Sequence, residues 1–215
     1  MKQLNQYIKE KLIINKDYHD NKIVVKSFDE LRKIIEDRYN KLGPGTEQDP
    51  VDFNDIDVSN LRYFYNNEDK GIFEYTKFKY IDISDWDVSN INSMRGMFFM
   101  CKELKSVGDI SEWNVSNVTI MRAMFDSCEE LESTGDLSNW DVSNVTDMCS
   151  MFYKCKELES VGDISKWDVS NVTNMGHMFA YCKKFNQDLS KWDVSNVTNI
   201  ISSFFLCGIK REYRP

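Results

Sequence analysis

The string WDVSNVT occurs at 140–146, 167–173 and 192–198, and close copies stand at 86–92 (WDVSNIN) and 113–119 (WNVSNVT). Its residue types could do chemistry. Asp, Ser and Asn could hold a metal or serve in catalysis, and N-V-T is an acceptor pattern for N-glycosylation. Asn117, Asn144, Asn171 and Asn196 head N-V-T, and Asn114 heads N-V-S. Six Cys raise the alternatives of disulfides or zinc. Five of them, Cys101, Cys128, Cys155, Cys182 and Cys207, each follow a Trp by 15 residues. They form a line, whereas tetrahedral zinc needs ligands that converge. The plain reading is a buried column of small apolar residues. Cys149 stands off that line, where other repeats have Arg95, Arg122, Gly176 and Ile201. It is expected to be more exposed and to be the reactive thiol of the set. Only two His occur, His19 and His177. His177 stands where other repeats have Gly96, Ala123, Ser150 and Ser202, a variable exposed position. No Gly-rich phosphate loop is present, and no Ser–His–Asp set departs from the pattern. The sequence therefore points away from an enzyme and implies no cofactor and no resident metal.

An internal repeat must position these residues. Trp86, Trp113, Trp140, Trp167 and Trp192 are spaced by 27, 27, 27 and 25 residues. Met94, Met97, Phe98 and Cys101 sit at i, i+3, i+4 and i+7, the stripe of a short helix, and the pattern returns in each repeat. Trp86 and Val88 alternate with Asp85 and Asp87, the period of a strand. Strand, turn and short helix every 25–27 residues predict an α/β repeat solenoid. It would be a leucine-rich-repeat-like, right-handed, curved stack of short parallel strands and short helices. Helices pack about 8–10 Å apart and strands about 4.8 Å, so the stack should bend with its strands inside.

A divergent sixth unit, FNDIDVSN at 53–60, puts Ile56 in the Trp place, and 61–80 reads as a looser helix or an insertion. The expected organisation is an N-terminal helical cap over 1–50, six repeats over 51–207 and a tail over 208–215. Within the cap, SFDELRKIIEDRYNKLGPG predicts a helix. Ser27 and Glu30 form a capping box, Phe28, Leu31, Ile34, Ile35 and Tyr39 its apolar stripe, and Gly43 and Pro44 its stop. KIVVK at 22–26 reads as a short strand, and 1–13 as a second amphipathic helix through Leu4, Tyr7, Ile8 and Leu12. After the last repeat, either Ile209 and Tyr213 fold over its end or an apolar edge stays free. A free edge would pair end to end into a homo-oligomer.

The polar columns have structural readings. Asn60, Asn90, Asn117, Asn144, Asn171 and Asn196 are expected to turn inward and bond the backbone of the adjacent repeat, buried and therefore unglycosylated. Asp109, Asp136, Asp163 and Asp188, with Ser111, Ser138, Ser165 and Ser190, are expected to bond turn amides. What remains is the concave strand face. One column is Asp57, Asp87, Asn114, Asp141, Asp168 and Asp193; its neighbour is Asp55, Asp85, Glu112, Asn139, Lys166 and Lys191. Three readings of it stay open: a solvated edge, a protein or glycan contact surface, or a weak calcium ladder. The net charge of −8 argues against nucleic acid and anionic membranes as partners. No run of about 20 apolar residues exists for membrane insertion. The first 20 residues do not read as a secretory signal.

The unit DLSNWDVSNVTDMCSMFYKCKEL resembles the BspA-like leucine-rich-repeat surface proteins, in particular the branch first noted in Mycoplasma lipoproteins, a domain of unknown function. The resemblance covers about 53–207. It implies a non-enzymatic protein-interaction or adhesion module at the cell surface or secreted, with host or cell-surface proteins as partners. The export signal and lipobox of many members are not seen, which leaves a cytoplasmic or virion-associated location open. The alternative implication is a structural phage or bacterial component that self-assembles through its C-terminal edge.

Overall fold

A computed structural model describes residues 22–215. The helix expected over 1–13 and His19 lie outside the described residues. Among the described residues there is one α-helix, α1 (Phe28–Leu42), and there are four two-residue strands. They are β1 (Ile23–Val24), β2 (Val51–Asp52), β3 (Ile56–Asp57) and β4 (Ile81–Asp82). β1 pairs with β3 and β2 with β4, both parallel. The expected α/β solenoid of strands and helices is thereby overturned: the described repeats contain no α-helix, and after β4 their only β pairing is isolated parallel bridges such as Ser93↔Ile120 and Ile120↔Asp147.

The repeats are built from tight turns. In the stretch expected to be helical, Met97 N–H donates to Met94 O at 3.2 Å and Cys101 N–H to Phe98 O at 3.1 Å. Each is an i→i+3 turn, and the third residue of each is left-handed: Gly96 at φ 59° and Met100 at φ 60°. The same pairs recur through Ser202 (φ 56°) and Leu206 (φ 51°). A left-handed residue every four positions stops a helix. The alternate amides settle the matter. In a helix Phe98 N–H would bond Met94 O; here it bonds Met124 O of the next repeat at 2.8 Å. Met94, Gly96 and Met100 likewise donate to Ile120, Arg122 and Asp126. Two tandem turns place their corner residues at i, i+3, i+4 and i+7, so the apolar stripe that reads as a helix is a row of turn corners. The strand-like stretch is turns as well, Ile83–Trp86 and Val88–Ile91.

With no helices to hold repeats apart, the basis for the curvature is gone. Phe98, Phe125, Phe152 and Phe179 stack ring on ring at 5.1–5.6 Å, while bridges hold the other side. Both sides keep close to strand spacing.

Each Trp sits in the core, 3–4% exposed, and its indole N–H would be costly there without an acceptor. It reaches into the preceding repeat. Trp86, Trp113, Trp140, Trp167 and Trp192 donate to Phe53, Ile83, Ile110, Leu137 and Ile164 carbonyls at 2.8–3.3 Å. Glycine is required at Gly108, Gly135 and Gly162, where φ is +79 to +85° and a Cβ would meet the Asp carboxylate of the preceding repeat.

α1 forms as its sequence demands. Ser27 Oγ accepts from Glu30 N–H, the Glu30 carboxylate accepts from Lys26 N–H, and Gly43 ends the helix with N–H to Tyr39 O. Leu31 and Ile35 are fully buried against the first repeats, and Tyr39 meets Phe78 edge to face at 5.1 Å. Arg32 donates to the carbonyls of Gly71, Ile72 and Glu74. The stretch expected as a looser helix or an insertion has no helix and makes an excursion closed by a bridge between Tyr65 and Gly71, after which Phe73 rejoins the Phe column, 5.2 Å from Phe98.

Trp140→Phe should keep most of the packing but remove the indole bond to Ile110 O, which Trp113 N–H still reaches, lowering unfolding free energy by about 0.5–1.5 kcal/mol. Trp140→Ala should cost about 3–5 kcal/mol. Denaturant titration followed by circular dichroism checks both, and equal losses would show that the hydrogen bond contributes nothing.

Candidate functional site

The candidate face is a surface of turns, not a concave strand face. Asp85, Asp87, Glu112, Asn114, Asp141, Lys166, Asp168, Lys191 and Asp193 are all exposed, and each lies next to a buried Trp or Val. The Asp between Trp and Val is not spare, however. Asp141 Oδ1 accepts from Ser143 N–H at 3.1 Å and Ser143 Oγ–H at 2.6 Å. Asp168 does the same with Ser170, and Asp87 and Asp193 accept from Ser89 and Ser195 N–H. Asn114 occupies the column and makes both bonds to Ser116. The second Asp column, Asp109, Asp136, Asp163 and Asp188, caps Ser111, Ser138, Ser165 and Ser190 amides as expected. Lys166 and Lys191 lie beside these carboxylates: Lys166 reaches Asp163 at 4.0 Å, and Lys191 acts on Asp163 and Asp188 through space.

Hydrogen bonds from Ser hold Asp168, Asp193, Asp163, Asp188 and Asp57 below the ordinary carboxylate range, against a small opposing effect of burial. Asp136 is lowered in the same way by Ser138. Asp168 and Asp193 feel each other as like charges, which places neighbouring carboxylates of the column within electrostatic reach. The result is a row of ionised groups whose second oxygens face solvent from fixed positions.

The Asn column bonds the adjacent repeat as expected: Asn90, Asn117, Asn144, Asn171 and Asn196 Nδ2 donate to Ser59, Ser89, Ser116, Ser143 and Ser170 O at 2.7–2.9 Å. Their expected burial is wrong. All five are exposed, because the bond runs along the surface from one turn to the next. A Thr column runs beside it, with Thr119, Thr146, Thr173 and Thr198 each donating through Oγ1 to the preceding repeat.

The thiols also depart from expectation. Cys101, Cys128, Cys155 and Cys182 are buried donors to Phe73, Phe98, Phe125 and Phe152 carbonyls at 2.8–3.1 Å, not merely small apolar residues. Burial pushes Cys101 up to about 12 and raises the other three well above an ordinary thiol. Cys149, expected to be exposed, is buried at 7%. His177 is exposed, in the left-handed turn position at φ 59°, with its ring edge against Tyr153. Among the described residues no three His, Cys, Asp or Glu side chains converge as metal ligands would, and no helix is long and apolar enough to cross a membrane.

The sequence left open whether the end of the last repeat is covered, and did not identify the residues exposed there. Ile200, Ile201, Phe205 and Leu206 are 43–68% exposed. In the register only Ile201 signals this, standing where other repeats have Arg95 and Arg122; Ile200 replaces a buried Met, and the Phe205 and Leu206 places hold Phe99, Tyr153, Met100 and Tyr181 elsewhere. The tail covers only part of that end: Ile209 is buried, and Tyr213 O accepts from Leu189 N–H at 2.8 Å.

Residues 66–162 and 132–208 each match the model of the family described as Mycoplasma protein of unknown function, DUF285. Together the matches span about two thirds of the chain. They support the Mycoplasma branch of the resemblance and give no support to its leucine-rich-repeat architecture. No curated protein and no solved structure matches the chain.

Two outcomes follow from the protonation states. The lowered Asp pKa values lie below their unfolded values, so their stabilisation is present above about pH 4 and lost as pH falls through the folded values. The melting temperature should therefore fall below about pH 4, and Asp136→Asn with Asp163→Asn should flatten that fall. A melting temperature that does not change with pH would disprove the coupling. A thiol reagent at pH 8 should leave Cys101, Cys128, Cys155 and Cys182 unmodified until the protein is denatured, as mass spectrometry of the labelled peptides would show.

Proposed function

The chain belongs to this Mycoplasma family of unknown function, and from that premise we propose that it is a non-enzymatic protein-interaction module with an adhesive role. The observation that carries the reading is the row of exposed carboxylates at Asp141, Asp168 and Asp193, each fixed by its own turn. A flexible surface carboxylate loses side-chain freedom when it binds; one already held by a Ser amide loses less. The row repeats at the spacing of the turns, so it favours a partner that presents several cations along one line. Lys166 and Lys191 bring positive charge to the far half of the face and would fix register against that partner. The resemblance to BspA-like surface proteins supports host or cell-surface proteins as the partner class.

Asn114 supplies the control for the test. It makes the same two bonds to Ser116 that Asp141 makes to Ser143, so Asp→Asn removes charge and keeps the turn. The variant Asp141→Asn, Asp168→Asn, Asp193→Asn should keep the wild-type circular dichroism spectrum. It should lose most of its retention on immobilised cell-surface proteins, and wild-type retention should fall with added salt. Retention that survives the triple substitution would overturn the reading.

A further inference from the structure

The last repeat departs from the others in two independent ways. The first is the exposure of its apolar side chains. Ile201, Phe205 and Leu206 are exposed by 68%, 51% and 59%, whereas inner counterparts such as Cys149, Ala180 and Ser127 are buried, and Arg95, Arg122, Asp126 and Lys154 hold the same positions in other repeats. The inner repeats show that the turns form with charged or polar residues there, so the fold does not demand these apolar side chains. A terminal repeat is ordinarily polar on its outer face. Ile200 adds to the patch: its counterparts Met94, Met121, Met148 and Met175 are at most 1% exposed, whereas it is 43% exposed, with no further repeat among the described residues to cover it.

The second departure is in the backbone. Across residues 94–100 and their counterparts, main-chain bonds between repeats run one way, opposite to those of the flanking Thr column. Met175, His177, Phe179 and Tyr181 N–H donate to Asn199, Ile201, Ser203 and Phe205 O at 2.8–2.9 Å. The equivalent amides of Ile200, Ser202, Phe204 and Leu206 donate to nothing. Over 200–206 the unfilled main-chain groups that point outward are donors, with Thr198 O beside them the counterpart of the acceptor Thr173 O. The opposite end of the turn column offers acceptors, and there Arg32 from α1 takes the carbonyls of Gly71, Ile72 and Glu74. The tail closes one corner of the last repeat. Tyr213 O receives Leu189 N–H just as Val161 O receives Leu137 N–H, and the Arg214 guanidinium lies 5.7 Å from the Phe204 ring, but among the described residues none accepts from the amides of 200, 202, 204 and 206.

We propose that residues 200–206 are a docking edge for a partner chain that lays a segment of the same turn type against them, supplying main-chain carbonyls at alternate residues. The four inner junctions show what covers such an edge: the next repeat's carbonyls over the amides and its apolar corners over the ring and aliphatic side chains. A second copy of this chain is a poorer occupant. Two such ends face to face present donors to donors over 200–206. Head to tail, the only acceptor end of the turn column is held by Arg32 and covered by α1. The partner is therefore a different chain whose acceptor edge is uncapped, with apolar outward residues to meet Ile201, Phe205 and Leu206. This is strand addition in its general form. It uses a surface separate from the carboxylate row, so either proposal can fail alone.

The probe is a labelled peptide copying residues 167–182, whose carbonyls at 174, 176, 178 and 180 take the amides of the preceding repeat. It is titrated into the full chain under reducing conditions. Saturable binding of one peptide per chain is expected, with slowed hydrogen exchange at the amides of 200, 202, 204 and 206. Ile201→Asp and Leu206→Asp should each weaken binding about tenfold or more. Ile201 is exposed enough that its substitution leaves the fold intact, which circular dichroism would verify. The triple Asp→Asn variant should bind the peptide as wild type does. No saturable binding, equal binding of a scrambled peptide, or protection elsewhere would overturn the proposal. Self-association in sedimentation that Leu206→Asp abolishes would also overturn it, in favour of a second copy.

Discussion

Capture of a main-chain carbonyl by a side-chain donor from the neighbouring repeat is the constraint on which the rest of this structure depends. Each buried turn carbonyl here accepts one N–H from its own turn and has a second lone pair for the neighbouring repeat, while a buried donor without an acceptor costs about 1–3 kcal/mol. Trp and Cys use that lone pair from within. The Trp indole takes the carbonyl three residues before the Trp-equivalent position of the preceding repeat. The Cys thiol takes the carbonyl of that repeat's Phe. Both side chains are otherwise apolar, so they fill the core and supply the donor at once. A Leu in either place would pack but not donate.

The same logic explains why so few residue types are free to vary. The Asn amide, the Thr hydroxyl and the Asp carboxylate do on the surface what Trp and Cys do inside. Asn and Thr link neighbouring repeats, and Asp fixes the turn within one. The repeated heptapeptide is therefore close to a complete account of its own turn. Three residues pack, one caps, one is capped and two bridge, and the carboxylate oxygen left over faces solvent.

Much of this was legible in the sequence. The register of the repeat, its buried columns, the capping of α1 through Ser27 and Glu30, the Asp–Ser turns and the Asn bridge all followed from spacing and residue type. The helices did not, because i, i+3, i+4, i+7 is the spacing of two tandem turn corners as well as of a helical stripe. Periodicity alone cannot separate them; the left-handed residues at Gly96 and its counterparts could have, yet Ala123, Ser150 and His177 hide the signal where Gly would have shown it. The strand expectation failed for a related reason. Alternating burial around Trp86 is real, but Asp and Ser side chains hold the backbone in turns instead of leaving it to pair along its length. The thiol donors were missed because Cys reads as a small hydrophobe until the carbonyl facing it is known.

Directionality follows from the turns and has consequences for the two ends. Because every between-repeat amide across residues 94–100 and their counterparts points toward the later repeat, the column ends in acceptors at one side and donors at the other. These ends cannot be closed by the same chemistry. A guanidinium is suited to a cluster of carbonyls, having several N–H groups and no acceptor, and Arg32 is placed there by a helix whose own capping is complete. The donor end needs carbonyls or an anion. The tail brings one carbonyl, from Tyr213, to one corner. Four amides spaced at alternate residues need a backbone running alongside, and no single side chain can provide that. The first end is thus closed by an element of ordinary helix design, while the second can be completed only by more chain of the same kind.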